Sequence, residues 1–517
     1  MVAPSRQLLR PNRRVLGGLG ALSANGGGGA RSSRTHRPLL FEVSRRRPQI
    51  EAVLEENRRN RRAALMAFAL GFLAFMPYPA ISVGNRSALA MGNLVTFVAC
   101  FGALTLSWWR TRGALVYPLI ILGMGISALR VTLGAEGDGD LSLKVVIMWT
   151  TSCLTIVAAQ IYFPRAPLAL MSGIAAMTVI HVGVGLWQFV AFQSGEFPLL
   201  GLYVNPSFLD VQENAVMYAR WMRRPFGLFP EPSAMASSLA PWVLLWAAYF
   251  AGLVRFKREP ATWQRALFAT AAAGALALII VSRSGHAAIT LAAAIVFAGI
   301  WFVRSRATPR ALLAVLGGAG IVLPLVLWAG AAALSDRVGE SLPTMNSSWE
   351  ERSSSLVTGL RLMTESSVGA ALFGLGPGMA PVRIYEAVKI QAVFSVLLTY
   401  LYETGLVGFL ILFWIGHQIV SVWKSLRFDV VFAVVAAVWL VGITVTTSYE
   451  QLLPIWLTLG WLTVWPSVCE PVLVRAKRVV PAARRVKAKA QRPPQSDPRE
   501  HRSPWRPALA APVGGGA

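Results

Sequence analysis

The sequence is poor in charge. Only 14% of its 517 residues are Asp, Glu, Lys or Arg, against about 25% in an average soluble domain, which excludes an ordinary water-soluble enzyme. Acidic groups are the scarcer kind, 24 against 49 basic ones, for a net charge of +25. An excess of that size points to nucleic acid only when it is spread over a folded domain, and here it is not. Residues 1–62 and 472–517 carry +19 of the +25, and the 409 residues between them hold 24 basic and 18 acidic groups. Nucleic acid is therefore removed from the expected partners. Cysteine is also scarce. Cys100, Cys153 and Cys469 lie far apart, in or beside apolar runs, with no CxxC spacing and no histidine nearby. That excludes a disulfide framework or a zinc site and leaves them as small packing residues. No Walker loop and no His/Cys cluster is present, so the chain is expected to need neither a metal nor a cofactor.

What the sequence has instead is apolar length. Hydrophobic residues make up 55% of it, and twelve segments approach or reach the roughly 20 residues that cross a bilayer. They are 63–83, 89–108, 113–128, 145–163, 166–192, 235–254, 266–281, 287–303, 311–334, 394–422, 430–445 and 452–465. Lipid cannot satisfy backbone N–H and C=O groups, so each span is expected to be helical. The expected class is an all-α polytopic membrane protein of about 12 transmembrane helices. The first apolar run begins too far from the start for a secretory signal peptide and reads as a retained span. The domain is expected over 63–471, flanked by basic tails over 1–62 and 472–517. Both tails lack a hydrophobic pattern and are expected to be disordered or bound at a membrane surface.

Alternate loops differ in charge. One set holds Arg110, Arg112, Arg165, Arg255, Lys257, Arg258, Arg265, Arg304, Arg306, Arg310, Lys424 and Arg427 against only Glu259, Asp429 and Glu470. The other set is net acidic. The basic set, with both tails, is expected to be cytoplasmic, and an even number of spans agrees with that. Two outward loops are long, 193–233 and 335–393, and function is expected there.

The outward loops carry an ordered set of arginines and glycines. The first loop ends Arg223-Arg224-Pro225-Phe226-Gly227-Leu228-Phe229-Pro230-Glu231-Pro232-Ser233. A short turn reads Ser282-Arg283-Ser284-Gly285-His286. The large loop holds Arg352 and Arg361, then Leu372-Phe373-Gly374-Leu375-Gly376-Pro377-Gly378, and the next span opens with Tyr402-Glu403-Thr404-Gly405-Leu406-Val407-Gly408. A guanidinium stays charged at any relevant pH and offers a rigid donor fork that matches phosphate oxygens. Glycine turns such as those at Gly374 and Gly376 let backbone approach a ligand, though they serve equally as plain turns. Arg220, Arg337 and Arg383 read as solvated or headgroup contacts. A charge bordering apolar spans is costly, and this singles out Arg283. Glu403 reads as either a functional carboxylate or helix-end packing, and His286 as either a site residue or a turn residue. His181 and His417 read as hydrogen-bonded packing residues.

In this order the motifs resemble the O-antigen ligase and Wzy-type polysaccharide polymerase superfamily, over roughly residues 200–420. The resemblance implies a metal-independent membrane glycosyltransferase of the bacterial inner membrane, with both termini cytoplasmic. Its donor would be a polyprenyl-pyrophosphate-linked glycan, and its acceptor a sugar hydroxyl that attacks the anomeric carbon at the periplasmic face. By that resemblance Arg283 and Arg361 would bind the pyrophosphate and stabilise its growing charge, with Glu403 as a catalytic carboxylate. Arg224, Glu231, His286, Arg352, Gly374 and Gly376 would line the substrate site. Ligases of this kind carry a histidine about nine residues before the Glu-x-Gly element, where this chain reads Gln391-Ala392-Val393-Phe394-Ser395. Any general base must then be Glu403, Glu231 or His286. The departure favours a polymerase of lipid-linked repeat units, for an exopolysaccharide, capsule or O-antigen, over a ligase. A transporter or flippase is the alternative of a different class, with spans nearly free of internal charge speaking against it. Membrane lipids, a flippase and a chain-length regulator are the expected partners.

Overall fold

The computed structural model describes residues 37–76, 80–82, 88–104, 121–122, 125–129, 139–199, 223–284, 354–355, 357–363, 365, 367–388, 395–426, 429–445 and 452–471. The chain divides into two compact units, Met1–Arg62 and Ala63–Ala517. Helix α1 spans Arg37–Ala74, so 37–62 is helical, where the sequence leads to an expectation of disorder or of binding at a membrane surface. Strong helix formers and the i,i+4 pair of Glu55 with Arg59, at 3.3 Å, favour that state. The tail over 472–517 lies outside the described residues.

The described chain is mostly helical. A hairpin of β1 (Ala80–Ser82) and β2 (Ala88–Ala90) leads into α2 (Met91–Leu104), followed by α3 (Gly139–Arg165), α4 (Pro167–Ala191), α5 (Pro232–Phe250), β3 (Val254–Phe256) and α6 (Thr262–Val281). Then come α7 (Val368–Phe373), α8 (Met379–Val388), α9 (Val396–Ser425), α10 (Val430–Val445), α11 (Leu453–Val468) and β4 (Cys469–Pro471). Local chemistry sets several starts. Pro167 opens α4, the Ser395 hydroxyl accepts from Leu398 N at 3.3 Å to cap α9, and Asp429 Oδ1 accepts from Phe432 N at 2.8 Å to cap α10.

Among the described residues, four helical stretches are long and apolar enough to cross a membrane: Val145–Arg165, Pro167–Ala191, Pro232–Phe250 and Thr262–Val281. The expectation of a helical chain with membrane-spanning helices is met; the number twelve is not reached among the described residues. The run over 63–83 leaves the helix at Ala74, just before the Pro77-Tyr78-Pro79 sequence, and continues as β1. The apolar helices Val396–Leu410, Val430–Thr444 and Leu453–Val468 are shorter. The segments 287–303 and 311–334 lie outside the described residues, as does most of 113–128. The large loop 335–393 contains α7 and α8, so part of it is ordered helix.

Helices α3, α5 and α11 run side by side in one direction. The rings of Trp149 and Trp456 meet at a tilt with centroids 5.3 Å apart, Gln160 Nε2 donates to Thr463 Oγ1 at 2.9 Å, and Trp242 Nε1 donates to Thr458 Oγ1 at 3.0 Å. Trp242, fully buried, also meets Phe163, Phe75 and Trp461 with ring centroids 6.1, 6.3 and 4.9 Å apart. At one end β3 pairs antiparallel with β4, tying the end of α5 to the end of α11. Arg258 Nη1 donates to Arg165 O at 3.2 Å, which brings the starts of α4 and α6 to this same ribbon end. The opposite end therefore gathers the starts of α3, α5 and α11 and the ends of α4 and α6. Cys100, Cys153 and Cys469 are buried and free, as packing residues should be. Burial drives the Cys469 thiol well above its usual range.

Candidate functional site

Two assemblies form at the end opposite the ribbon. The first fixes the segment that leads into α5. Gln188, near the end of the mostly apolar α4, uses both ends of its amide. Its Oε1 accepts from Phe226 N at 3.1 Å and Gly227 N at 2.9 Å, and its Nε2 donates to Gly227 O at 2.9 Å. Two turns earlier on α4, His181 Nδ1 accepts from Leu228 N at 3.1 Å, so Nε2 carries the proton and donates to Phe75 O at 2.6 Å. One neutral imidazole thereby joins Phe75, just past the end of α1, to a loop. His181 is fully buried and hydrogen-bonded, as expected, whereas His417 is exposed.

This pinned segment holds Glu231 and Arg224 in place. Glu231 is buried, precedes Pro232 at the start of α5 and accepts a hydrogen bond from Ser233 Oγ. Arg224 is half-buried, and Arg223 donates to Gln193 Oε1 at 3.4 Å. Helix α6 runs beside α4 in the same direction, with Gly274 against Val182 and Gly185 against Leu278. That register carries Arg283, just beyond α6, to the level of Gln188. Arg283 is half-buried and adopts φ 49°, a left-handed backbone that a side chain disfavours. Arg223, at φ 46°, does the same.

The second assembly joins two motifs that are about thirty residues apart in sequence. Helix α9 breaks at Gly405, with φ 64° and ψ −153°. The break frees the carbonyls of the preceding turn, and the glycine turn after α7 fills them. Leu375 N donates to Tyr402 O at 2.6 Å and Gly376 N to Glu403 O at 3.3 Å. Gly378 N donates to Glu403 Oε1 at 2.8 Å. Ser127 Oγ donates to Phe373 O at 3.0 Å and also lies 3.3 Å from Glu403 O, while Ser142 Oγ donates to Pro377 O at 2.8 Å. Ser142 belongs to the first turn of α3, which places this joint at the same end as the first assembly. Gly374 and Gly405 lie back to back: a Cβ on Gly405 would come within 2.5 Å of Gly374 N and 2.7 Å of Ala371 O.

The structure thus brings Gly374, Gly376 and Glu403 together. It places Arg224 and Glu231 on the pinned segment, and Arg283 at the level of Gln188. Arg361 sits on the helical stretch whose Gly359 faces the Tyr402 ring, and its exposed side chain pairs with Glu365 at 3.7 Å. His286 and Arg352 lie outside the described residues. Glu403 is buried, and one carboxylate oxygen holds the glycine turn. Helix-end packing is therefore its visible role. Glu403→Gln, which keeps an oxygen acceptor, is expected to leave thermal stability nearly unchanged, whereas Glu403→Ala costs about 1–3 kcal/mol. Loss of product in Glu403→Gln despite a normal melting curve would restore a catalytic role.

Gln188, Ser127 and Ser142 were not marked by sequence motifs. For Gln188 the available signal is its spacing from His181, seven residues along one apolar helix, which sets two polar groups on one face. Gln188→Leu strands the N–H groups of Phe226 and Gly227 and is expected to cost about 2–4 kcal/mol, read as earlier thermal unfolding and faster proteolysis near Arg223. An Asp138-Gly139-Asp140 triplet at the start of α3 was also unmarked, and its carboxylates lie outside the described residues. In comparisons with known proteins, no family model and no curated protein matches this chain.

Proposed function

We propose that this chain is a multi-pass membrane glycosyltransferase of the bacterial inner membrane. It joins polyprenyl-pyrophosphate-linked oligosaccharide repeat units into a surface polysaccharide. In this reading about twelve spans cross the bilayer, the ribbon end faces the cytoplasm with both termini, and the opposite end faces the periplasm. Arg283 and Arg361 bind the pyrophosphate. When the acceptor hydroxyl attacks the anomeric carbon, the anomeric C–O bond breaks, the electron pair leaves with the pyrophosphate and the hydroxyl proton passes to a base. Fixed guanidinium groups stabilise that departing charge without having to reorganise.

The observation that carries the reading is the backbone of Arg283. A non-glycine residue held at positive φ persists only where its surroundings over-determine it, and such positions cluster at functional sites. Here it presents a half-buried arginine at the end of an apolar helix, level with a loop locked by Gln188. The position suits an anionic group attached to a lipid.

The test is reconstitution of the purified full-length chain in proteoliposomes with a lipid-linked repeat unit, followed by sizing of the products. A ladder of repeat lengths on the lipid carrier is expected. Transfer of single units to an added acceptor without a ladder would replace the polymerase with a ligase. Movement of the lipid-linked unit across the bilayer with no new glycosidic bond would replace it with a flippase.

A further inference from the structure

The ribbon end has a surface that the glycan reading does not use. Strand β3 alternates, with Val254 and Phe256 buried and Arg255 exposed. Lys257 continues the alternation, exposed on the same side as Arg255, and its backbone N–H donates to Val468 O at 2.9 Å. Arg258 is turned toward the last turn of α3 by its bond to Arg165 O, which sets the exposed Arg165 side chain in the same cluster. Backbone pairing thus holds several cations side by side, so gathering them costs little entropy. Three carboxylates lie nearby. Glu259 pairs with Arg265 at 3.2 Å, Glu470 stands opposite Arg255 in the ribbon, and Asp429 is turned to Phe432 N. Lys257, Arg258 and Arg165 are left as the excess.

Beside this cluster α6 begins. Trp263, in its first turn, is 61% exposed. Of the four long apolar helices α6 is the least covered, and Ala266, Ala269, Ala273 and Ala277 line its exposed side. An exposed tryptophan between a cationic cluster and an apolar helix face matches the boundary between headgroups and acyl chains. A free anion would gain nothing from Trp263 or the alanine face, whereas a phospholipid engages all three.

We propose that the surface formed by Arg165, Lys257, Arg258 and Trp263 binds the phosphodiester headgroup of an anionic phospholipid, with an acyl chain lying along α6. The proposal rests on the reading that the chain spans a membrane, and it is independent of the glycan chemistry at the other end.

The test uses full-length protein in nanodiscs of phosphatidylcholine alone or mixed with phosphatidylglycerol, released into detergent and measured by native mass spectrometry. Phosphatidylglycerol is expected to stay bound preferentially. Arg165→Gln and Lys257→Gln, both at exposed side chains, should each lower its retention about fivefold. Arg383→Gln, on α8, should leave retention unchanged. Equal retention of the two lipids by the unaltered protein, or undiminished phosphatidylglycerol in the Arg165→Gln/Lys257→Gln double variant, overturns the lipid site alone. Failure to enter either nanodisc, with the protein soluble in buffer, overturns the membrane reading and this proposal together.

Discussion

Alanine at Gly374 or Gly405 is expected to prevent the end of the bundle opposite the ribbon from assembling. Gly374 has φ 79° and ψ −176°, and Gly405 has φ 64° and ψ −153°. Both lie in a region that is essentially glycine-only, at a cost of about 1–3 kcal/mol for any side chain. Space compounds the strain. A methyl on Gly374 would overlap the backbone of Glu403 and Thr404, and one on Gly405 would meet Gly374 N and Ala371 O. These obstacles are backbone atoms and cannot rotate away. Pushing the two segments apart also lengthens the hydrogen bonds from Leu375 N to Tyr402 O and from Gly376 N to Glu403 O. Strain, overpacking and lost bonds together come to about 5 kcal/mol. Native proteins are stable by roughly 5–15 kcal/mol, so either substitution is expected to lower the yield of folded protein sharply. Fluorescence-detected size exclusion of the tagged protein in detergent checks this. Normal monodisperse peaks for both variants would show that the two motifs are not locked together.

Arg283→Ala and Arg361→Ala are expected to abolish product while leaving the protein in the membrane. Removing one preorganised donor from a developing charge costs on the order of 10²–10³-fold in rate. Neither change should unfold the chain. The exposed pair of Arg361 with Glu365 contributes little to stability. At Arg283 a sharper comparison is available, because its φ of 49° is one that glycine adopts freely. Arg283→Gly is expected to keep stability within about 1 kcal/mol of the parent, since relief of backbone strain offsets the extra entropy of the unfolded chain. The polymerising activity proposed for the chain should nonetheless be lost. A stable Arg283→Gly variant with no activity separates the side chain's chemistry from the fold. Wild-type ladders from both alanine variants would mean that these arginines do not hold the pyrophosphate.

Much of the fold is legible from hydropathy, because burying apolar length is a local property of a segment. The segment 430–445 coincides with α10, and α4, α5 and α6 fall within a few residues of their apolar runs. Misreadings arise where hydropathy and conformation part. The run from residue 63 is apolar to residue 83, yet its helix ends at Ala74, because proline lacks a donor and disfavours helix in the residue before it. The basic stretch before it lacks an apolar pattern but is helical from Arg37, since Ala, Leu, Glu and Arg favour helix without needing a core.

For the site, the sequence by itself determined the chemical inventory: arginines at the ends of apolar runs, two glycine-rich elements, and an acidic residue between them. It also set the separation of charge: Arg165, Arg255, Lys257 and Arg258, which it groups together as basic, meet at the ribbon end. The tertiary structure decided which pieces touch. Only the fold shows that Gly374 and Gly405 are halves of one joint, that Glu403 serves the turn at Gly378, and that Gln188 and His181 hold the loop carrying Arg224 and Glu231. The reason is physical. Hydropathy and charge belong to single residues, whereas a hydrogen bond between Gln188 and Gly227 depends on two segments finding one register, and nothing in either segment alone records it.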